Sequence, residues 1–189
     1  MNDLLAQIKN CTLCLPYLEL GVNPVVQASS KSKIIIIGQA PGRIVHETGT
    51  PWNDKSGDTL RKWLGVYKEL FYNDEVFASI PMSFCFPGKG KSGDLPPRKE
   101  CAPLWHEKLL THLNDAQLIL LIGQYAQNYY LKDTTKPTLT ETVRAFENYL
   151  PRYFPLPHPS PRNNIWQSKN PWFQEEVLPV LKTTVRDLI

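Results

Sequence analysis

The segment Lys33–Gly38 (KIIIIG) constrains the fold of this chain more than any other. A short, continuous β-branched run that ends in glycine is typical of a strand buried on both faces. Further strands are predicted at Val76–Met82, Gln117–Gly123 and Arg152–Pro157. A strand of this kind needs helices on both sides of its sheet, so the run predicts a mostly parallel sheet between helical layers.

Helical segments alternate with these strands. Ser56–Gly65 starts with a common N-cap residue and ends with a glycine, as helices often do. The other predicted helices are Arg98–Leu113, Gln124–Leu131, Thr140–Tyr149 and Asn170–Leu188, the last with a kink at Pro179. The order predicts one domain over residues 1–189, a three-layer α/β/α sandwich with a central, mostly parallel four-stranded sheet. Ligands bind such sheets beyond the carboxyl ends of the strands.

The composition excludes some classes of protein and leaves others open. The chain has 189 residues and a formal net charge of +3, which permits nucleic-acid binding without requiring it. No run approaches the roughly 20 apolar residues of a membrane helix, and the first ten residues lack an apolar signal core. We expect a monomeric, cytoplasmic protein with no membrane partner.

Two loops carry the residues most suited to chemistry. The first is the turn Gly38-Gln39-Ala40-Pro41-Gly42, whose backbone N–H groups could face a ligand. A strand-to-loop turn without chemistry is the alternative. The second loop is 158–163 (HPSPRN), in which His158 could donate a hydrogen bond to a leaving group or be a partly buried structural histidine. Ser160 could donate to a DNA phosphate or cap a helix.

The order and spacing of these loops resemble the uracil-DNA glycosylase superfamily, over nearly the whole chain. The resemblance implies that Gly38, Gln39, Ala40, Pro41 and Gly42 line a base pocket. It further implies that His158 stabilises the leaving base, while Ser160 and Arg162 hold phosphates. The segment Gly38–Trp52 is most similar to the iron–sulfur branch, which implies that Trp52 stacks on a flipped base. Ile165 and Trp166 occupy the position of a wedge that fills the hole in the duplex, although core packing is the alternative for Trp166.

The chain has four cysteines, at Cys11, Cys14, Cys85 and Cys101. The Cys11-x-x-Cys14 pair indicates a metal site or a redox pair, and Cys85 and Cys101 could instead be free buried thiols. Four thiols favour one site, for which the residues alone leave zinc and an iron–sulfur cluster open. The resemblance implies a [4Fe–4S] cluster that ties the N-terminal arm and the Pro-rich loop to the sheet.

Two positions depart from the pattern of the superfamily. Pro81, followed by Met82, occupies the place of an Asn that reads the edge of uracil, and proline has no side-chain donor or acceptor. The first turn offers Gln39 and Ala40 where relatives have a water-activating carboxylate. The nearest substitutes are His46, Glu47 and Asp54. We favour His46, because its ordinary pKa suits a general base, with a surface histidine as the alternative.

The loop 87–98 between these regions carries Lys89, Lys91 and Arg98 among glycines. Such a loop could contact a phosphate backbone or remain a solvated surface loop. The resemblance therefore implies a DNA-binding enzyme that hydrolyses the N-glycosidic bond of a flipped-out uracil or other deaminated base, with Gln39 and His46 assisting His158. Two alternatives remain: a lesion-binding protein without turnover, and a zinc-stabilised module acting on a nucleoside or RNA base.

Overall fold

The computed structural model describes residues 1–189 and contains one central sheet and one small hairpin. The strands are β1 (Ile34–Ile37), β2 (Phe77–Ser79), β3 (Lys89–Gly90), β4 (Gly93–Asp94), β5 (Leu118–Ile122) and β6 (Tyr153–Leu156). The central sheet has the order β2-β1-β5-β6 with every neighbouring pair parallel, and β3 and β4 form a separate antiparallel pair. All four predicted central strands are present, whereas the hairpin was not predicted.

The helices cover both faces of this sheet. They are α1 (Asn2–Lys9), α2 (Arg43–Thr48), α3 (Lys55–Leu64), α4 (Lys68–Phe71), α5 (Cys101–Leu110), α6 (Gln124–Leu131), α7 (Leu139–Arg144), α8 (Asn164–Lys169) and α9 (Leu178–Leu188). None of them combines the length and the apolar character that crossing a membrane requires.

Two hydrophobic cores result from the alternation of side chains along the strands. Ile34 and Ile36 of β1 pack in one core with α3 and α9, and Ile35 and Ile37 pack in the other with α1, α5 and α6. All four isoleucines are 0% exposed. This confirms the α/β sandwich and the burial of the first strand on both faces.

Several element boundaries differ from the sequence-based expectation. Helix α3 is capped by Asp54, one residue before its first turn, and not by Ser56. The helix predicted at Thr140–Tyr149 is divided into α7 and a 3-10 turn at Phe146–Tyr149. A π-helical turn at Phe173–Val177 precedes α9, and Pro179 lies in the first turn of α9, where its missing N–H needs no intrahelical partner.

Candidate active site

One cavity of about 360 Å³ opens beyond the carboxyl ends of β1, β2 and β6. Its volume lies within the roughly 300–1,000 Å³ that is common for small-molecule sites. The structure brings both predicted loops to it. The predicted residues that line the cavity are Gly38, Gln39, Ala40, Pro41, Gly42, Trp52, Pro81, Lys89, His158, Ser160 and Arg162.

The indole ring of Trp52 forms a fixed wall of this cavity. Its Nε1 donates a hydrogen bond to Ser79 Oγ at 3.2 Å, and its backbone carbonyl accepts one from Arg61. Trp52 has a φ of 55°, a left-handed conformation that bulky residues rarely adopt and that is enriched at functional sites. A Cβ atom on Gly38 would lie only 2.8 Å from Trp52 Cζ2, so the ring requires glycine at that position.

His158 stands beside this wall. Its backbone carbonyl accepts a hydrogen bond from Asn163 Nδ2 at 2.7 Å, which fixes the loop. Burial lowers the pKa of the imidazole below its usual value, although the nearby Asp54 and Asp94 carboxylates oppose the shift. The ring is therefore neutral at pH 7, and a neutral imidazole has one N–H group that can donate to a ligand.

Two carboxylates also face the cavity. Asp54 Oδ1 accepts a hydrogen bond from Gly57 N–H at 2.9 Å and so caps α3, whereas Asp54 Oδ2 is directed toward Gly42. Asp94 Oδ2 approaches the same glycine, and Asp94 Oδ1 pairs with Lys89 Nζ at 2.9 Å. One oxygen of Asp54 thus has a structural partner and the other is available to solvent or substrate. Asp54 was one of three candidates from the sequence but not the favoured one, and Asp94 was not predicted.

The structure does not support His46 as the group that activates water. His46 is 6% exposed, does not line the cavity and packs against Phe86 with 6.2 Å between ring centroids. It lies on the inward face of the short helix α2 that starts directly after the Gly42 turn. Glu47 is exposed and paired with Arg43 at 2.9 Å. Of the three candidates, only Asp54 lines the cavity.

The β3–β4 hairpin, which was not predicted, covers one side of the cavity. Arg162 Nη1 donates a hydrogen bond to the Ser92 carbonyl at 3.2 Å, which joins the histidine loop to the hairpin. Lys89 and Asp94 line the cavity, and Lys91 is exposed at the tip. This contact could not be predicted, because Ser92 and Arg162 are 70 residues apart in the sequence.

Two buried polar side chains that were not predicted support the backbone around the cavity from the interior of the protein. Gln127 Nε2 donates to the carbonyls of Leu121 and Leu156 at the ends of β5 and β6. His106 Nε2 lies 3.0 Å from the Pro81 carbonyl, and its Nδ1 lies 2.6 Å from Tyr130 Oη. Burial lowers the pKa of His106 to about 4. A neutral ring that donates from Nε2 and accepts at Nδ1 satisfies both contacts.

Besides His46, Lys91 and the cysteines, four further predicted site residues lie outside this cavity. Met82 points into a second groove, and Arg98 lines that groove together with the cysteine cavity. Ile165 is 69% exposed. Trp166 instead packs against the core, and its Nε1 donates to Thr140 Oγ1 at 2.8 Å. This packing agrees with the core-packing alternative for Trp166.

The four cysteines line one small apolar cavity, together with Arg98 and Trp105. Burial raises the pKa of Cys85 to about 11 and that of Cys101 to about 12. Arg98 Nε and Trp105 Nε1 are buried without a hydrogen-bond partner. No three His, Cys, Asp or Glu side chains are grouped closely enough to hold a metal ion. The cavity thus offers four soft donors and two unpaired N–H groups.

Comparison with known families agrees with this site. A model of the "Uracil DNA glycosylase superfamily" matches residues 25–182, a span that contains the 38–42 turn, Trp52, Asp54 and His158. The chain belongs to the uracil DNA glycosylase superfamily. It is therefore a DNA-glycosylase-like protein of the hydrolase class, and the family acts on DNA.

Proposed function

We propose that this protein hydrolyses the N-glycosidic bond of a deaminated base that has been flipped out of DNA. The observation that carries the proposal is the convergence of Trp52, Asp54 and His158 on one cavity at the carboxyl edge of the sheet. These side chains supply a flat stacking surface, a proton acceptor and a hydrogen-bond donor. Flipping is necessary because the glycosidic bond cannot be reached within the base stack.

The arrangement supports a simple hydrolytic step. Asp54 Oδ2 accepts a proton from a water molecule as the water oxygen bonds to C1′ of the deoxyribose. The C1′–N bond breaks and its electron pair stays on the base, which leaves as an anion. The N–H group of neutral His158 donates a hydrogen bond to that anion. A pre-oriented donor of this kind is worth roughly 10²–10³ in rate.

The choice of base depends on the groups that reach its polar edge. Pro81 lines the cavity but has no polar side-chain atom. Gln39 offers both an amide donor and a carbonyl acceptor, and Asp94 offers an acceptor for an N–H group. These groups suit bases that carry a lactam edge, such as uracil, hypoxanthine and xanthine.

We also propose that the four cysteines hold a [4Fe–4S] cluster. Four thiols around one cavity fit it, and the unpaired N–H groups of Arg98 and Trp105 are suited to sulfur acceptors. A zinc ion held by the same four thiolates is the alternative, and it would need all four sulfurs about 2.3 Å from one point. The cluster would join the N-terminal arm to α5 and would take no part in hydrolysis.

The test is a panel of single- and double-stranded oligonucleotides that carry uracil, hypoxanthine or xanthine, followed by alkali to cleave abasic sites. Release of at least one base is expected. Pro81→Asn, which adds an amide to the cavity wall, is expected to raise the rate on uracil relative to Pro81→Ala. If the wild type and Pro81→Asn both bind damaged DNA but release no base, the second candidate, a lesion-binding protein, would be favoured. That candidate draws support from Pro81 and from the hairpin over the cavity.

A further inference from the structure

A second groove, of about 750 Å³, lies next to the candidate active site. It opens beyond the carboxyl ends of β2 and β5, the same edge of the sheet. Consecutive residues of the chain line the two sites. Pro81 lines the cavity and Met82 lines the groove, and in the same way Asp94 lines the cavity and Leu95 lines the groove. The cavity and the groove are therefore neighbouring sites on one edge of the sheet.

The groove carries three tyrosines, Tyr17 near the N-terminus and Tyr125 and Tyr129 on successive turns of α6. Tyr17 is 63% exposed, Tyr125 is 42% exposed and Tyr129 is 38% exposed. Single exposed aromatic residues are common on protein surfaces, but an exposed apolar concavity marks an interaction site. Aromatic faces of this kind are the surfaces on which unpaired nucleobases stack.

The positive charge of the groove favours an anionic ligand. Arg98 and Lys99 line it, and none of its lining residues is acidic. The Arg98 guanidinium lies 4.2 Å from the centroid of the Tyr17 ring, so it stacks on one face of that ring, although it also pairs with Glu100. Lys99 makes no ion pair within the protein and is available for a phosphate. Flat apolar faces beside an unpaired cation match a single-stranded nucleic acid.

We propose that this groove binds the unpaired nucleotides that flank the flipped base, with bases stacked on Tyr17 and Tyr125 and a phosphate at Lys99. The proposal rests on the proposed function, because it assumes that DNA occupies the neighbouring cavity. The protein should therefore prefer target bases in single-stranded DNA, because flanking bases that are paired in a duplex have no free faces to stack on the tyrosines. The flanking strand adds affinity without touching the reacting atoms.

The experiment uses single-stranded oligonucleotides with a stable abasic analogue at the target position and the fluorescent base 2-aminopurine at each position on either side. Wild-type protein is expected to change the 2-aminopurine emission at positions on one side of the target. Tyr125→Ala is expected to weaken binding on the order of tenfold, with a further loss in Tyr17→Ala/Tyr125→Ala, because each lost stack is worth about 1–3 kcal/mol. Tyr67→Ala is the matched control, since Tyr67 is 66% exposed and lines neither site.

The outcomes separate this proposal from the proposed function. Base release by the wild type with unchanged single-strand affinity in the tyrosine variants would overturn the groove and leave the glycosylase activity intact. Loss of affinity in those variants, with no base released by the wild type, would support the groove and contradict the activity. Unchanged DNA affinity together with self-association that the variants abolish, measured by sedimentation, would assign the groove to a second copy of the chain.

Discussion

The ring centroids of Trp52 and His158 lie 6.1 Å apart, with an angle of 36° between the ring planes. The two residues are distant in sequence, but β1 and β6, which lead to them, are separated in the sheet by β5 alone. In the proposed function, a base stacked against the indole lies within reach of the imidazole. This relationship links the fold directly to the proposed chemistry.

Replacement of His158 by Ala should lower the rate of base release by roughly 10²-fold or more while DNA binding remains. The imidazole is the donor placed beside the Trp52 wall, and its loss leaves the charge on the departing base without that stabilisation. Single-turnover kinetics on the best substrate of the panel would measure the effect. His112→Ala is the control, because His112 is exposed and does not line the cavity. Equal rates of base release in both variants would show that His158 has no part in the reaction.

Gly38→Ala should destabilise the protein by about 1–3 kcal/mol, because the added methyl group would overlap the Trp52 ring. Gly42→Ala is the matched comparison: the nearest atom to its added Cβ would be 3.8 Å away. We expect its free energy of unfolding to stay within about 0.5 kcal/mol of the wild type. Urea unfolding of the three proteins would test this difference. Equal stability of the two variants would show that the ring is free to move.

The sequence was informative where a residue's role follows from its own neighbours. The isoleucine run specified a buried strand, and the turns after β1 and β6 could be placed at one edge because parallel strands end together. Asp94 could not be found in this way, since it reaches the cavity only through a hairpin that Arg162 holds from the far end of the chain. His46 could not be ranked against Asp54 from the sequence, because nothing local shows which face of the short helix α2 is buried.

His106 should make stability depend on pH. Its pKa in the folded protein, about 4, lies below the usual 6.5, so the unfolded chain binds more protons between these values. Tyr129 and Tyr130 pack against it, and desolvation dominates the shift. About 3 kcal/mol of stability should therefore be present above pH 6.5 and lost as the pH falls to 4.

His106→Phe lacks this titration. It should be less stable than the wild type at pH 7 by about 1–3 kcal/mol, because the Pro81 carbonyl and the Tyr130 hydroxyl lose their partner. The difference between the two proteins should shrink toward pH 4. Urea unfolding at pH 7 and pH 4.5 measures it, with exposed His112→Gln as control. A difference that is constant with pH would show that His106 is not buried as a neutral ring.

Protein purified without oxygen should be brown and contain iron and sulfide, if the cysteines hold the proposed cluster. Cys101→Ser should lose the colour and, through the loosened N-terminal arm, lower the melting temperature. Iron and sulfide analysis together with thermal unfolding would measure both effects. Leu13→Ser, a change at an exposed residue between Cys11 and Cys14, should retain the iron. A colourless protein with one zinc ion per chain would contradict the cluster.

The proposed mechanism is tested most directly by comparing the single-turnover rate of base release by Asp54→Asn with that of the wild type. Asparagine caps helices as well as aspartate, so α3 and the stability should be preserved while the proton acceptor is removed. We predict a rate lowered by roughly 10²-fold or more with unchanged DNA affinity. A wild-type rate in Asp54→Asn would contradict the account, because the carboxylate would then have no part in activating water.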